Sequence, residues 1–275
     1  MQTFTAHAGL TLPALGLGTY RLNGTDGVGS IGRAIDGGWT LLDSAFNYEN
    51  EGAVGKAVRD SGRRDELVVT SKLPGRHHAH DEAITTIEES LLRTGLDVLD
   101  LYLVHWPNPG VDKYVEAWGA LIEARDRGLV KAIGVCNFEP EHLDRLQAET
   151  GELPQVNQIE LHPYFPQSEL LAYGAEHGII TEAWTPLGRG NDLLDHPVLT
   201  AVASAHDATT AQVALAWSIA RGALPLPKAA SAERQAENLA AADLTLTGDE
   251  VDRITALGRP DGRTYDQDPT RYEEF

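Results

Sequence analysis

Four apolar runs in the first half of the chain each end at or beside a residue that carries chemistry, and those ends recur at a nearly constant interval. "TLLDS" holds Asp43, "LVVTSK" ends on Lys72, "LDLYLVHW" holds His105 and "KAIGVC" ends on Cys136, in steps of 29, 33 and 31 residues. Such steps are too long for hairpin-linked strands. They fit a strand plus the helix that carries the chain back to the same end. The runs are apolar on both faces, as strands of a covered parallel sheet are.

The same reading extends along the whole chain. Strands are expected at 14–18, 40–44, 67–72, 99–106, 131–136, 155–160, 179–184 and 224–228, after a hairpin-like opening "QTFTAHAGLTLP". Eight βα units in about 250 residues predict a (β/α)8 barrel. The step from Trp184 to Lys228 is 44 residues, so an extra helical element is expected after the seventh strand, and "GDEVDRITALG" predicts another near the carboxyl terminus. Between the strands the apolar period is helical: Ile84, Ile87, Leu91 and Leu92 form one stripe, and Val115, Trp118, Leu121 and Ile122 another. "ARDRGL" and "IARGAL" place a basic residue and then Gly at helix ends. No low-complexity linker divides the sequence, so residues 1–275 read as one barrel domain.

Charge narrows the function. Twenty-two basic residues against 41 acidic ones leave a net charge of −19, which opposes nucleic acids and anionic membranes as partners. Any phosphate site must then come from a few local cations or backbone amides. The single cysteine, Cys136, excludes an internal disulfide and suits a reducing compartment. There is no apolar run of about 20 residues to span a membrane, and "MQTFTAHAGL" lacks the pattern of a signal peptide. The expectation is a soluble, cytoplasmic monomer acting on small molecules.

In a barrel, the carboxyl ends of the strands share one face, and that face carries active sites. Asp43, Tyr48, Lys72 and His105 would therefore meet at one mouth. Singly, Asp43 could be a helix-cap acid, Lys72 a strand flank and His105 a satisfied core histidine. As a set they make sense chemically. A tyrosine at its ordinary pKa near ~10 is a poor proton donor or acceptor at neutral pH. A buried ammonium favours the phenolate and lowers that value, and a carboxylate partners the ammonium. Asp43 would hold Lys72, Lys72 would tune Tyr48, and His105 would donate to a substrate oxygen. That set can protonate a carbonyl oxygen while hydride arrives at carbon, with no metal.

With "LGLGT", "LLDSAFNYENE", "VVTSKL", "DLYLVHWP", "IGVCNF", "NQIELHPY", "AWTPLGRG" and "LPLPKAASAERQAENL" in this order, the chain resembles the aldo-keto reductase superfamily, NAD(P)H-dependent carbonyl reductases on (β/α)8 barrels. The similarity covers nearly the whole chain and is nearest to bacterial members that include 2,5-diketogluconic acid reductases. The resemblance implies Tyr48 as general acid, tuned by Lys72 and Asp43, with His105 orienting the carbonyl. Asn137 and Gln158 would hold the nicotinamide carboxamide beside Cys136, which stands where a serine is usual. Trp184 would stack on the nicotinamide, and Leu187 and Gly188 would offer amides to the pyrophosphate. Thr19, Tyr20, Asp43, Lys228, Ser231, Arg234, Glu237 and Asn238 complete the expected cofactor contacts. Lys228 and Arg234 favour NADPH, but Ala229 replaces a common phosphate-binding serine, which opens the site to NADH.

Rival readings remain on the same residues. "GVGSIG", Gly27 to Gly32, matches a dinucleotide fingerprint, but "RLNGTD" separates it from the preceding strand, and Asp43 comes only 16 residues after Gly27. These glycines read as the start of the first helix. "HHAH", His77 to His80, suggests a metal-dependent hydrolase, against a solvated loop broken from its strand by Pro74 and Gly75. A Schiff-base aldolase on Lys72 and an NADPH-binding sensor with little turnover each fit part of the same pattern. Tyr20, Phe46, Tyr48, His105 and Trp106 are expected to line the substrate pocket. The tail "RPDGRTYDQDPTRYEEF" is short, which predicts an open, permissive site whose acidic end disfavours anionic substrates.

Overall fold

The computed structural model describes residues 2–275. Two short strands, β1 (Thr3–Thr5) and β2 (Thr11–Pro13), pair antiparallel as the expected hairpin. Eight parallel strands follow: β3 (Leu17–Gly18), β4 (Leu41–Asp43), β5 (Val68–Leu73), β6 (Leu99–Val104), β7 (Val130–Cys136), β8 (Val156–Glu160), β9 (Ile180–Trp184) and β10 (Ala223–Pro225). They pair in chain order, and the first meets the last through a parallel bridge between Gly18 and Lys228. Gly16 N–H and Gly18 N–H donate across that seam to Pro225 O and Pro227 O, each at 3.1 Å. Glycine is required at position 18, since a Cβ there would stand 2.9 Å from the Leu226 carbonyl oxygen.

Helices α1 (Gly24–Asp36), α2 (Glu51–Ser61), α3 (His80–Thr94), α4 (Tyr114–Asp126), α5 (Pro140–Thr150) and α6 (Ser168–His177) return the chain between strands β3 and β9. The longer step before β10 holds two helices, α7 (Pro197–Ala205) and α8 (Thr210–Ala220). Beyond β10 lie α9 (Ala232–Ala240) and α10 (Gly248–Thr255). The glycines of "GVGSIG" fall inside α1, as expected of a helix and not of a phosphate-binding loop. The apolar stripe of α3 needs one correction. Ile87 is fully buried and Ile84 and Leu91 pack against the core, but Leu92 is 77% exposed. One residue on from Leu91, Leu92 is turned by about 100° around the helix, off the buried face.

Alternation along the strands builds two layers of core. Leu42, Val69, Tyr102, Val104, Ile133 and Val135 face outward onto the helices, where they meet Ile31, Ile87, Trp118 and Leu121. Leu41, Leu101, Leu103, Ala132, Val156, Ile180 and Leu224 fill the inside, together with Leu12 and Ala6 of the hairpin segment. The hairpin therefore closes the amino-terminal mouth of the barrel. Leu12 has no exposed surface, and burying a leucine completely is worth about 1.5–3 kcal/mol. With that mouth plugged, the only end left for a ligand is the carboxyl-terminal one.

Candidate active site

A cleft of about 620 Å³ opens at that end. Asp43, Tyr48, His105, Gln158 and Asn137 line it, with Trp106, Trp184, Tyr20 and Leu226 as apolar walls and Lys228 along its course. The βα spacing thus brings the expected residues to one place. Asp43 is the last residue of β4 and Lys72 lies within β5, one strand over, with Lys72 Nζ 2.7 Å from Asp43 Oδ1. Lys72 also donates to the carbonyl of Ser44 at 2.7 Å and has no exposed surface. Burial is the largest effect and opposes its charge, but Asp43, Tyr48 and Cys136 together outweigh burial, and the ammonium is held more firmly than in water.

Tyr48 stands in a 3-10 turn, Phe46–Tyr48, after β4. Its ring lies 4.9 Å from Lys72 Nζ and 6.0 Å from the His105 ring. The turn is pinned from three sides. Asn23 Nδ2 donates to Tyr48 O at 3.0 Å, Ser44 Oγ to Asn50 Oδ1 at 2.7 Å, and Asn50 Nδ2 to Thr19 O at 2.7 Å. One expectation is overturned here. Burial of the phenol exceeds the pull of Lys72, and Asp43 adds to it, so the Tyr48 pKa is pushed up to about 12 and not down. The side chain is therefore a neutral phenol near pH 7, and Lys72 moderates the rise.

Gln158 receives its orientation from two acids. Its Nε2 donates to Asp43 Oδ1 at 2.9 Å and to Glu182 Oε2 at 2.8 Å, which leaves Oε1 as the free, accepting end of the amide. Asn137 is held similarly. Its Oδ1 accepts from Trp184 Nε1 at 2.8 Å and its Nδ2 donates to His105 O at 3.0 Å. Asn137 and Thr185, each just beyond a strand end, sit at φ of 62° and 48°. Positive φ is unusual for a β-branched residue such as Thr185, and strain of this kind gathers at functional sites.

Glu182 escaped the sequence reading, although its signal matched that of Asp43: an acid inside an apolar strand, "IITEAW". It is fully buried, and burial, reinforced by the Asp43 charge, raises its pKa to about 7. Because the folded value exceeds the ordinary 4.5, the native state binds this proton more tightly than the unfolded chain. Stability from this group is therefore present below about pH 4.5 and declines as pH rises to about 7. Glu182→Gln keeps an acceptor for Gln158 but cannot ionise. Urea titrations across that window should show a shallower decline for the variant than for the parent, and parallel curves would contradict the assignment.

Several expected contacts lie elsewhere. Phe46 turns away from the cleft into a separate hollow, under the Arg93 guanidinium at 3.8 Å, and its neighbour Asn47 lines the cleft instead. Thr19 is fully buried beneath the loop, donating to Asp43 O at 2.8 Å. Cys136 packs in the barrel interior, where burial raises its thiol pKa. Gly188, Ser231, Arg234, Glu237 and Asn238 are not in the cleft wall; the last four lie at or on α9 beyond Lys228, with Ser231 as its N-cap. Arg21 and Arg189, not anticipated, line the cleft and lie 5.2 Å from the Tyr20 ring, so with Lys228 three cations gather on a chain of charge −19. The histidines of "HHAH" diverge: His77 meets Thr86, His78 is buried, and His80 faces Asp81 and Glu123. No group of three metal-ligating side chains gathers among the described residues.

The tail does not leave the site open. Tyr272 packs on Trp106 with ring centroids 4.5 Å apart, and Gln267, Tyr272 and Glu274 all line the cleft. The sequence offered no local sign of this, because the contacts join residues more than 160 positions apart.

The aldo/keto reductase family model matches residues 14–259. The chain is 49% identical to 2,5-diketo-D-gluconic acid reductase B of Corynebacterium sp., over 100% of this chain and 99% of that protein. It is 40% identical to methylglyoxal reductase DkgA of Salmonella typhimurium, covering 96% and 95% of the two. Among solved structures, a Gox0644 mutant in complex with NADPH superposes with a TM-score of 0.94 at 38% identity, over 99% and 98% of the chains. An aldo-keto reductase of Bombyx mori in complex with NADP gives 0.91 at 32% identity, over 99% and 98%. This chain is an oxidoreductase and belongs to the aldo/keto reductase family.

Proposed function

We propose that the chain reduces aldehydes or activated ketones with NADPH, with Tyr48 as the proton donor. The observation that carries this reading is the chain of contacts from Asp43 through Lys72 to Tyr48 at the floor of the cleft, with the His105 ring beside it. The cleft's residues suit a nicotinamide dinucleotide. The free Oε1 of Gln158 can accept from a carboxamide N–H, the indole of Trp184 offers a face fixed by its bond to Asn137, and Arg21, Arg189 and Lys228 supply cations for phosphates. When bound, the dinucleotide supplies hydride to the carbonyl carbon. Tyr48 gives its proton to the carbonyl oxygen, where negative charge develops. Even with its pKa raised to about 12, the phenol is a stronger acid than the aliphatic alcohol being formed, so the transfer runs downhill. Lys72 then stabilises the phenolate left behind, and the site refills with a proton from solvent.

The cofactor preference rests on charge. Lys228 is exposed at the cleft and Arg234 is exposed in the first turn of α9, whose amino terminus favours anions. Ala229 is buried and offers no hydroxyl, which supports some use of NADH. Lys228→Ala should raise KM for NADPH by about tenfold to a hundredfold, the loss of one charge-assisted contact, and change KM for NADH little. Equal effects on both would show that Lys228 does not read the 2′-phosphate. Stopped-flow mixing of protein and NADPH with a panel of aldehydes tests the function itself, and binding without oxidation would favour a sensor.

A further inference from the structure

The end of the tail enters the wall of the barrel behind the histidine. Glu274 is 8% exposed, and its carboxylate is fully engaged. Gly75 N–H donates to Oε2 at 2.9 Å and Asn47 Nδ2 to Oε1 at 2.9 Å, while His105 Nδ1 lies 2.7 Å from Oε1. The main chain is locked as well. Asn108 Nδ2 donates to Glu274 O at 2.8 Å, and Glu274 N–H donates to Asn108 Oδ1 at 3.1 Å. Gly75 leaves room for this, since a Cβ there would stand 2.5 Å from Glu274 O. A cradle this complete is a built site for one carboxylate, delivered from the far end of the sequence.

Resting on the reductase reading above, we infer that Glu274 is a positioning residue which fixes a proton on His105 Nδ1, so that Nε2 can donate to a substrate oxygen only when the ring is an imidazolium. Two bare acceptors would repel at 2.7 Å, so an ionised Glu274 beside Nδ1 requires a proton on that nitrogen. Burial works against the Glu274 charge, but His105 and the donors Gly75 and Asn47 outweigh it and hold the carboxyl down at about 2. The oxygen lies off the line of the ring N–H bond, so charge carries the contact more than hydrogen-bond geometry. With the proton on Nδ1, the neutral ring presents only a lone pair at Nε2, which suits an alcohol O–H. The imidazolium presents N–H to a carbonyl. Reduction and oxidation thereby call on different protonation states of one ring, selected by the tail.

Other charges around the pair come from every neighbouring element. Tyr48 faces His105 from the turn after β4, with Lys72 and Asp43 behind it, and Cys136 lies on β7. From the segment after β5, His78 approaches Glu274, and Arg76 is drawn off to Asn47. Burial lowers the His78 pKa to about 4, so it is neutral near pH 7 and does not substitute for His105. Glu273 points away, toward Gly110 N–H.

Glu274→Gln preserves an oxygen for the Nδ1 proton and removes the charge. The alkaline limb of kcat/KM for aldehyde reduction should move to lower pH, because the carboxylate charge that favours the imidazolium is gone. Above neutrality this reads as a lower kcat/KM than the parent's. NADPH affinity, followed by fluorescence titration, should not change, and Glu274→Asp should recover part of the limb. Superimposable pH profiles for Glu274→Gln and the parent would overturn the inference. A second measurement needs neither turnover nor a folded variant at position 274. In the parent protein labelled with 15N-histidine, the His105 signals, assigned by their loss in His105→Asn, should report the Nδ1–H tautomer above the ring's titration. An Nε2–H tautomer would overturn the inference even if the protein reduces aldehydes well, and an Nδ1–H tautomer in a protein without turnover would leave it standing while the reductase reading fell.

Discussion

Replacing Tyr48 with phenylalanine should lower kcat for carbonyl reduction by about 10²–10⁴-fold, the range that a positioned general acid contributes, while leaving NADPH binding intact. The ring would stay where it is. It packs edge-on to Tyr20 at 5.1 Å and to His105 at 6.0 Å, with the Lys72 ammonium 4.9 Å from its centre, and none of these needs the hydroxyl. What disappears is the proton. His105 can hydrogen-bond to the oxygen, but Lys72, the other candidate donor, is committed to Asp43 and Ser44. Single-turnover mixing of enzyme with NADPH and an aldehyde isolates the chemical step, and fluorescence titration reads cofactor affinity separately. A variant that keeps kcat within threefold of the parent would remove Tyr48 from the mechanism.

Lys72→Met should produce the largest loss of stability of any single change in the cleft, about 3–5 kcal/mol. Methionine roughly fills the volume but leaves the Asp43 carboxylate buried, only 4% exposed, without its counter-charge. Gln158 still donates to Asp43, but a neutral amide does not balance a carboxylate. Against a total stability of about 5–15 kcal/mol for a typical domain, such a loss is a fifth or more. The double variant Asp43→Asn with Lys72→Met should recover much of it, because no charge is then stranded. Urea denaturation of the four proteins in the cycle measures this. If the single variant loses less than about 1 kcal/mol, the pair is not the buried, mutually dependent ion pair described above. Turnover should fall along with stability, since nothing then stabilises the Tyr48 phenolate.

The parts of the molecule that sequence spacing exposes are those fixed by short-range rules. Constant steps between Asp43, Lys72, His105 and Cys136 identified parallel strands, and a closed barrel necessarily gathers their ends. The direction of the Tyr48 pKa was missed because two opposing effects had to be weighed. A lysine next to a tyrosine is legible in sequence, but how deeply the phenol is buried is not. Asn47 stands where Phe46 was expected because a 3-10 turn rotates each residue by about 120°, and nothing local says which neighbour faces inward. Glu182 was in plain view as an acid inside an apolar strand. Glu274 was not, since its partners Gly75, Asn47, His105 and Asn108 are scattered across other elements and only the folded barrel assembles them.

The path of the tail also has a practical bearing on how the protein is handled. Phe275, 77% exposed, follows directly after the residue seated against His105. Any sequence joined after it, an affinity tag for instance, would begin one residue from the lip of the cleft and tug on the Glu274 anchor. The β1–β2 hairpin lies at the opposite mouth, with the barrel interior between it and the cleft. An extension placed ahead of β1 is the one that leaves the cleft undisturbed.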